Sequence, residues 1–155
     1  MIQSTLSNSE NDTKMLQIMR LIWFGILSSH FVLAFLAFKI VEPSEVVRNP
    51  INPQLFFGLG LIAIIASFVI PSLLKKSLKL PLDQMTVEIL FTPFIFSLAL
   101  NEACAIMGFL TKVHTNNDQI SSALFLISLI VYLSRFPTES KLKSEVEVMK
   151  NMKAK

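Results

Sequence analysis

Two titratable side chains stand where water is scarce. Glu102 is the only charge in an otherwise apolar run from Ile89 to Thr111, and His30 lies inside another such run from Leu21 to Phe38. A carboxylate in hydrocarbon costs about 2.5 to 3.5 kcal/mol on insertion scales, so it persists where it has a partner or a task. Glu102 lies nine residues before Thr111 and His30 eight before Phe38. At about 1.5 Å of rise per residue, Glu102 is then ~14 Å from the end of its span, and His30 lies at about the same depth. From the other end they differ by four residues, about 6 Å, which helix tilt absorbs. A hydrogen bond between imidazole and carboxylate is therefore open, and protons would titrate from such a pair as a unit. The arrangement admits three uses: one polar contact between helices, a proton-binding site in which His30 tunes Glu102, or a docking point for another membrane subunit. Asn101 and Ser29, with Ser28 and Ser97, extend the cluster, and interhelical bonds of this kind contribute roughly 0.6 to 2 kcal/mol each.

Other chemistry has no foothold. The chain has no phosphate-cradling glycine loop, no HExxH, no CxxC and no Gly-x-Ser-x-Gly elbow, so neither catalytic, cofactor-binding nor metal-ligating residues are assigned. His114 has no ligand-type neighbour in sequence, and the single Cys104, in an apolar run, excludes an internal disulfide and reads as a small packing residue. The net charge is +3, without a basic stripe interleaved with aromatics, so nucleic acid is not an expected partner.

The elements that position the pair follow from composition. Of 155 residues, 52% are hydrophobic and 16% charged, with thirteen Phe against one Trp and one Tyr, and mean hydropathy is +0.58. A soluble domain carries about 25% charged residues. This chain has too little polar surface to wrap a water-soluble globule. Four apolar runs, Leu21 to Phe38, Leu55 to Leu74, Ile89 to Thr111 and Ile120 to Ser134, predict transmembrane helices, because a bilayer core of about 30 Å takes roughly 20 helical residues and tolerates no unpaired backbone. The fourth, at fifteen residues, is short and must stand upright or borrow its flanks. The expected fold is all-α: a polytopic membrane protein with four transmembrane helices in an antiparallel bundle, over about 17–40, 55–74, 88–111 and 119–136. Residues 1–15 read as a flexible polar tail, and 138–155 as a short amphipathic helix or a disordered tail.

Charge sets the expected orientation. With four spans, one side holds Lys14, Arg20, Lys75, Lys76, Lys79, Arg135, Lys141, Lys143, Lys150, Lys153 and Lys155, eleven in all, against Lys39, Arg48 and Lys112 on the other. Basic residues near spans resist translocation, so both termini are expected in the cytoplasm. Arg20, Lys75, Lys76 and Arg135 read as interfacial anchors. The loops expected over 42–53 and 75–88 join the first three spans, and Asn116, Asn117 and Asp118 are available to cap the fourth helix. Gly60, Ala63 and Ser67 in the second span, and Ala105 and Gly108 in the third, are the small residues that let helices approach. Pro71 and Pro93 are expected to kink their spans.

The runs Arg20-Leu-Ile-Trp23, Ala66 to Pro71, Phe91 to Phe94 through Leu98 to Gly108, and Arg135-Phe-Pro-Thr138 resemble a group of small four-span bacterial membrane proteins. The resemblance covers roughly Arg20 to Thr138 and implies bacterial origin and residence in the cell inner membrane, but no activity. Leu100 to Leu110 is also similar to the carboxylate-bearing helix of rotary ATPase proteolipid subunits. Those rings pack through glycine-rich inner helices, whereas this chain has four glycines in all. The expected function is a non-enzymatic structural or accessory subunit of a membrane assembly, partnered by the lipid bilayer and by further copies of itself or other membrane proteins. The alternative is a proton-coupled carrier using Glu102 with His30.

Overall fold

In the computed structural model, which describes residues 2–40, 51–77 and 86–153, the chain is built of helices, with no strand among the described residues. The order is α1 (Ile2–Phe35), closed by a wider π turn over Leu36–Ile40, then α2 (Pro53–Ser77), a 3₁₀ turn (Val87–Leu90), α3 (Phe91–Thr115), α4 (Asp118–Ser134) and α5 (Glu139–Lys153). Most of the expected loops 42–53 and 75–88, with Arg48 and Lys79, and the terminal Lys155 lie outside the described residues. Three stretches are long and apolar enough to cross a bilayer: Asn11–Lys39, Pro53–Ser77 and Val87–Thr115. A fourth is reached when α4 and α5, bent by 78°, are taken together. Alone, the 17 residues of α4 span about 26 Å.

The helix boundaries bear on the expected tails and prolines. The polar segment 1–15, expected as a flexible tail, is helical from Ile2 onward. No Gly or Pro interrupts the chain before Gly25, so the ladder of α1 runs on toward the N-terminus without a stop signal. Of the two readings of the C-terminal tail, the helical one describes α5. Pro71 stands inside α2, which continues to Ser77. Pro93 falls in the first turn of α3, where its missing N–H costs nothing.

α3 is the central rod, and α1, α2 and α4 all pack on it. Its buried side includes Ser97, Leu98, Asn101, Cys104, Ala105, Gly108 and Thr111, whereas Phe96 and Ile106 look outward. The outer helices invert that balance. Leu21, Phe24, Phe31 and Phe35 on α1, Leu59, Ile62, Ile65 and Leu73 on α2, and Leu126, Ile130 and Leu133 on α4 are all exposed large apolar groups. A water-soluble monomer does not leave so continuous an apolar flank uncovered.

Both ends are closed by local devices. At one, Asn116 takes the left-handed conformation (φ 51°) that ends α3, and the Asn117 side chain accepts from the Ile120 N–H to start α4. Lys112, buried, donates to Asn116 Oδ1 and pairs with Asp118 Oδ1, each at 2.6 Å. At the other end α5 folds back, laying Leu142, Met149 and Val146 against Leu16 and Met19 of α1 and Val87 and Leu90 of the 3₁₀ turn. On the outer face of α5, a hydrogen bond from Lys143 holds the Glu139 carboxyl below its usual range, and Glu139 in turn raises the Lys143 amine. The carboxylate side of that contribution is complete above the ordinary Glu range and lost as pH falls through the depressed value.

Gly108 marks the closest approach of α3 and α4. A Cβ there would stand 3.2 Å from the Ser121 carbonyl oxygen and 3.3 Å from both Leu124 Cβ and Phe125 Cδ2. Gly60 plays the same part for α2, since its Cβ would meet Leu124 Cδ2 at 2.6 Å and Cys104 Sγ at 3.4 Å. Replacing Gly108 by Leu is expected to force the helices apart, costing about 1 to 3 kcal/mol. Thermal unfolding in detergent should shift down accordingly, and an unshifted transition would show that this approach is not tight.

Candidate functional site

Glu102 projects from the middle of α3 toward α1. Ser29 Oγ donates to Glu102 Oε1 at 2.9 Å, and the same hydroxyl lies 2.8 Å from the Ile26 carbonyl oxygen, so one proton has two acceptors in reach. His30 Nδ1 is 3.7 Å from Glu102 Oε2, beyond hydrogen-bond length. Both of those atoms are buried and without a hydrogen-bond partner. The pair whose hydrogen bond the sequence left open is therefore brought to adjacency and stops short of bonding. The imidazole is held in place by Phe125 of α4, whose ring meets it edge-on at 5.5 Å. The Glu102 side chain keeps 14% of its surface exposed and the His30 side chain 3%, with Ser29 on the open side. The site is a seam between α1 and α3 that opens onto the flank of the molecule.

Asn101, the preceding residue, turns away from Glu102 into α4. Its Nδ2 donates to the Ser128 carbonyl at 3.0 Å, and Ser128 Oγ donates back to the Asn101 carbonyl at 3.0 Å. One turn on, Cys104 Sγ lies 3.6 Å from the Leu124 carbonyl, and beyond it Ser121 Oγ donates to the Gly108 carbonyl at 2.8 Å. Asn101 Oδ1 is left buried and unpartnered. This ladder was missed in the sequence reading. Its signal is there: Asn101 and Gly108 are seven apart on one helix, and Ser121 and Ser128 seven apart on the next, the spacing that keeps residues on one seam.

Beyond the ladder, α4 carries two further hooks. Trp23 Nε1 donates to the Tyr132 carbonyl at 3.1 Å while Tyr132 Oη donates to the Trp23 carbonyl at 3.2 Å, a reciprocal pair between α1 and α4. Arg135, expected as an outward anchor, turns inward: Nη1 donates to the Ser97 carbonyl at 2.7 Å, Nη2 to Ser67 Oγ at 2.9 Å, and the guanidinium lies 4.3 Å from the Phe68 ring centre. Ser67 is thus a hydrogen-bonding residue as well as a small one. Arg20 donates from Nε to the Pro137 carbonyl at 3.3 Å and stands over Phe136.

The other expected residues are distributed through the packing. Ala105 is fully buried with Ala37 and Phe125, and Ala63 is half-buried on α2. Lys75 pairs with Glu145 of α5, whereas Lys76 is exposed. His114 stacks on Phe56 with ring centres 6.0 Å apart. No group of three or more His, Cys, Asp or Glu is placed to hold a metal ion among the described residues.

Ser128→Ala keeps the Asn101 to Ser128 backbone bond and removes its return. A loss of about 0.6 to 1.7 kcal/mol is expected, read as a lower midpoint in detergent unfolding with helix content unchanged; Asn101→Leu removes the other bond, from Asn101 Nδ2, and keeps the one from Ser128 Oγ to the backbone carbonyl of residue 101, so a loss of the same order is expected. Compared with protein-family models, with curated proteins and with solved structures, the chain matches none.

Proposed function

We propose that the chain is a non-enzymatic accessory subunit of a membrane assembly, a bundle of four antiparallel spans residing in the cell inner membrane with both termini in the cytoplasm. The observation that carries this reading is the seam at Glu102. A partly exposed carboxylate with one oxygen bonded to Ser29 and the other unpartnered sits on a flank of exposed Phe, Leu and Ile side chains. In lipid that oxygen is costly. A donor from a second copy or from another membrane helix, laid against the α1/α3 seam, would reach the exposed part of that carboxylate beside Ser29, while the unpartnered oxygen stays buried facing His30. The orientation follows from the excess of Lys and Arg at the end where α5 lies, and an even number of spans agrees with it.

A second reading is favoured by one distance. With His30 Nδ1 3.7 Å from Glu102 Oε2, a proton on the imidazole would be drawn toward the carboxylate, which is the geometry of a proton-binding pair. Here the chain would be a proton-coupled carrier, with Glu102 taking and releasing the proton and His30 tuning it.

The two readings separate on Glu102→Gln. For the subunit, native mass spectrometry of the chain extracted in mild detergent should show an assembly that the substitution weakens, and proteoliposomes with an internal pH dye should show no proton flux. Flux that Glu102→Gln abolishes would instead establish the carrier. Orientation is checked by labelling intact cells: a Ser144→Cys thiol on α5, in a Cys104→Ser background, should react only after the membrane is opened. Labelling from outside would place the C-terminal end on the other face.

A further inference from the structure

At the end of the bundle remote from Asn116, a cleft of about 220 Å³ opens between α2, α3 and the bend that joins α4 to α5. Its polar lining is unbalanced: the cations Lys75, Arg135 and Lys141 face a single carboxylate, Glu145. Glu145 is engaged with Lys75, and Lys141 spends its ammonium on the Ser134 carbonyl at 2.9 Å. Arg135 bonds Ser97 and Ser67 and retains N–H groups for a further acceptor, since a guanidinium has five. The rest of the lining is apolar, with Phe68, Pro71 and Phe94 among it. From Phe68 the wall runs directly onto the exposed face of α2, where Val69 and Leu73 are about half uncovered (48% and 58%). A cationic mouth that continues into a lipid-facing apolar track matches one kind of molecule, an anionic amphiphile with its charge at the membrane surface and its chains alongside a helix.

The geometry points to this cleft as a binding site for one anionic phospholipid. Its phosphate lies among Lys75, Lys141 and Arg135, and its acyl chains lie along Val69 and Leu73 of α2. Glu145 is the resident counter-charge, so the phosphate takes over Lys75 as Glu145 is released. The inference rests on the bilayer reading above, with this end at the leaflet surface.

The test uses the full chain in mild detergent, titrated separately with dioleoyl phosphatidylglycerol, dioleoyl phosphatidylcholine and inorganic phosphate, with bound lipid counted by native mass spectrometry. Phosphatidylglycerol should bind as a single copy, in preference to phosphatidylcholine and to inorganic phosphate. Lys75→Gln and Lys141→Gln should each weaken it by about fivefold, the effect of one cation near a headgroup. Glu145→Gln should tighten it, an opposite sign that general damage would not produce. Ser72→Glu, which adds a carboxylate at the exposed rim and leaves the Lys75 pair intact, should abolish the preference, and circular dichroism should show unchanged helix in all four variants. Equal affinity for the two lipids, or indifference to both lysine substitutions, overturns the proposal. Inorganic phosphate binding as tightly as phosphatidylglycerol overturns the lipid assignment in favour of a free anion. A chain that stays in membranes with a lipid-blind cleft refutes only this site, whereas a chain that folds without detergent refutes the bilayer reading beneath it.

Discussion

In an apolar solvent, a polar group on a helix flank has no water to fall back on, and the middle of α3 carries several. Asn101 and Glu102 stand side by side there, and each is answered by a different neighbour: α4 through the two-way bond with Ser128, α1 through Ser29. Because consecutive helical residues point about 100° apart, these two adjacent polar groups face different neighbours, and α1 and α4 each take one of them. The small residues then fix how near each helix comes, with Gly108 setting α4 and Gly60 setting α2. In the bilayer we propose for the chain, hydrophobic burial cannot do this job, since lipid is as apolar as leucine.

The two ends of the bundle solve different problems. At the Asn116 end the turn is two residues long, Asn116 and Asn117, and a buried lysine completes it through Asn116 and Asp118. At the Arg135 end the chain leaves α4 through Phe136 and Pro137 and turns by 78° into α5. Three cations reach across that corner, Arg20 to the Pro137 carbonyl, Arg135 to Ser97 and Ser67, Lys141 to the Ser134 carbonyl. The Ser134 carbonyl at the end of α4 thus finds a charged donor from α5 and the Pro137 carbonyl one from α1, while the backbone N–H groups of Arg135 and Phe136 close the last turn on the Tyr132 and Leu133 carbonyls.

The long rods were legible because hydropathy over twenty residues is a strong average that no single neighbour alters. Glu102 was legible for the converse reason, as one charge in a run of apolar groups. Depth arithmetic left a contact with His30 open and no more, because the 3.7 Å separation depends on how α1 rotates about its axis, and side-chain counting carries no rotation. Arg135 shows the same limit. At the end of an apolar run its long stem permits either an outward or an inward reach, and what decides is that Ser67 and the Ser97 carbonyl lie within span, a fact of how α2 and α3 pack. For α5, the spacing of Leu142, Val146 and Met149 announced an apolar face, while its partners Leu16 and Met19 lie more than a hundred residues earlier. The N-terminal extension of α1 was not legible, because its polar composition points to a tail and only the absence of a breaking residue points to a helix.

The chain has a single tryptophan and a single tyrosine, and they are in contact, with ring centres 5.4 Å apart and each bonded to the other's backbone carbonyl. Both intrinsic chromophores of the polypeptide therefore report on one place, the crossing of α1 over α4. Excitation absorbed by the phenol passes efficiently to the indole at this distance and falls steeply as the two helices move apart. The wild-type sequence thus contains its own optical gauge of whether that crossing is closed, readable without attaching any dye.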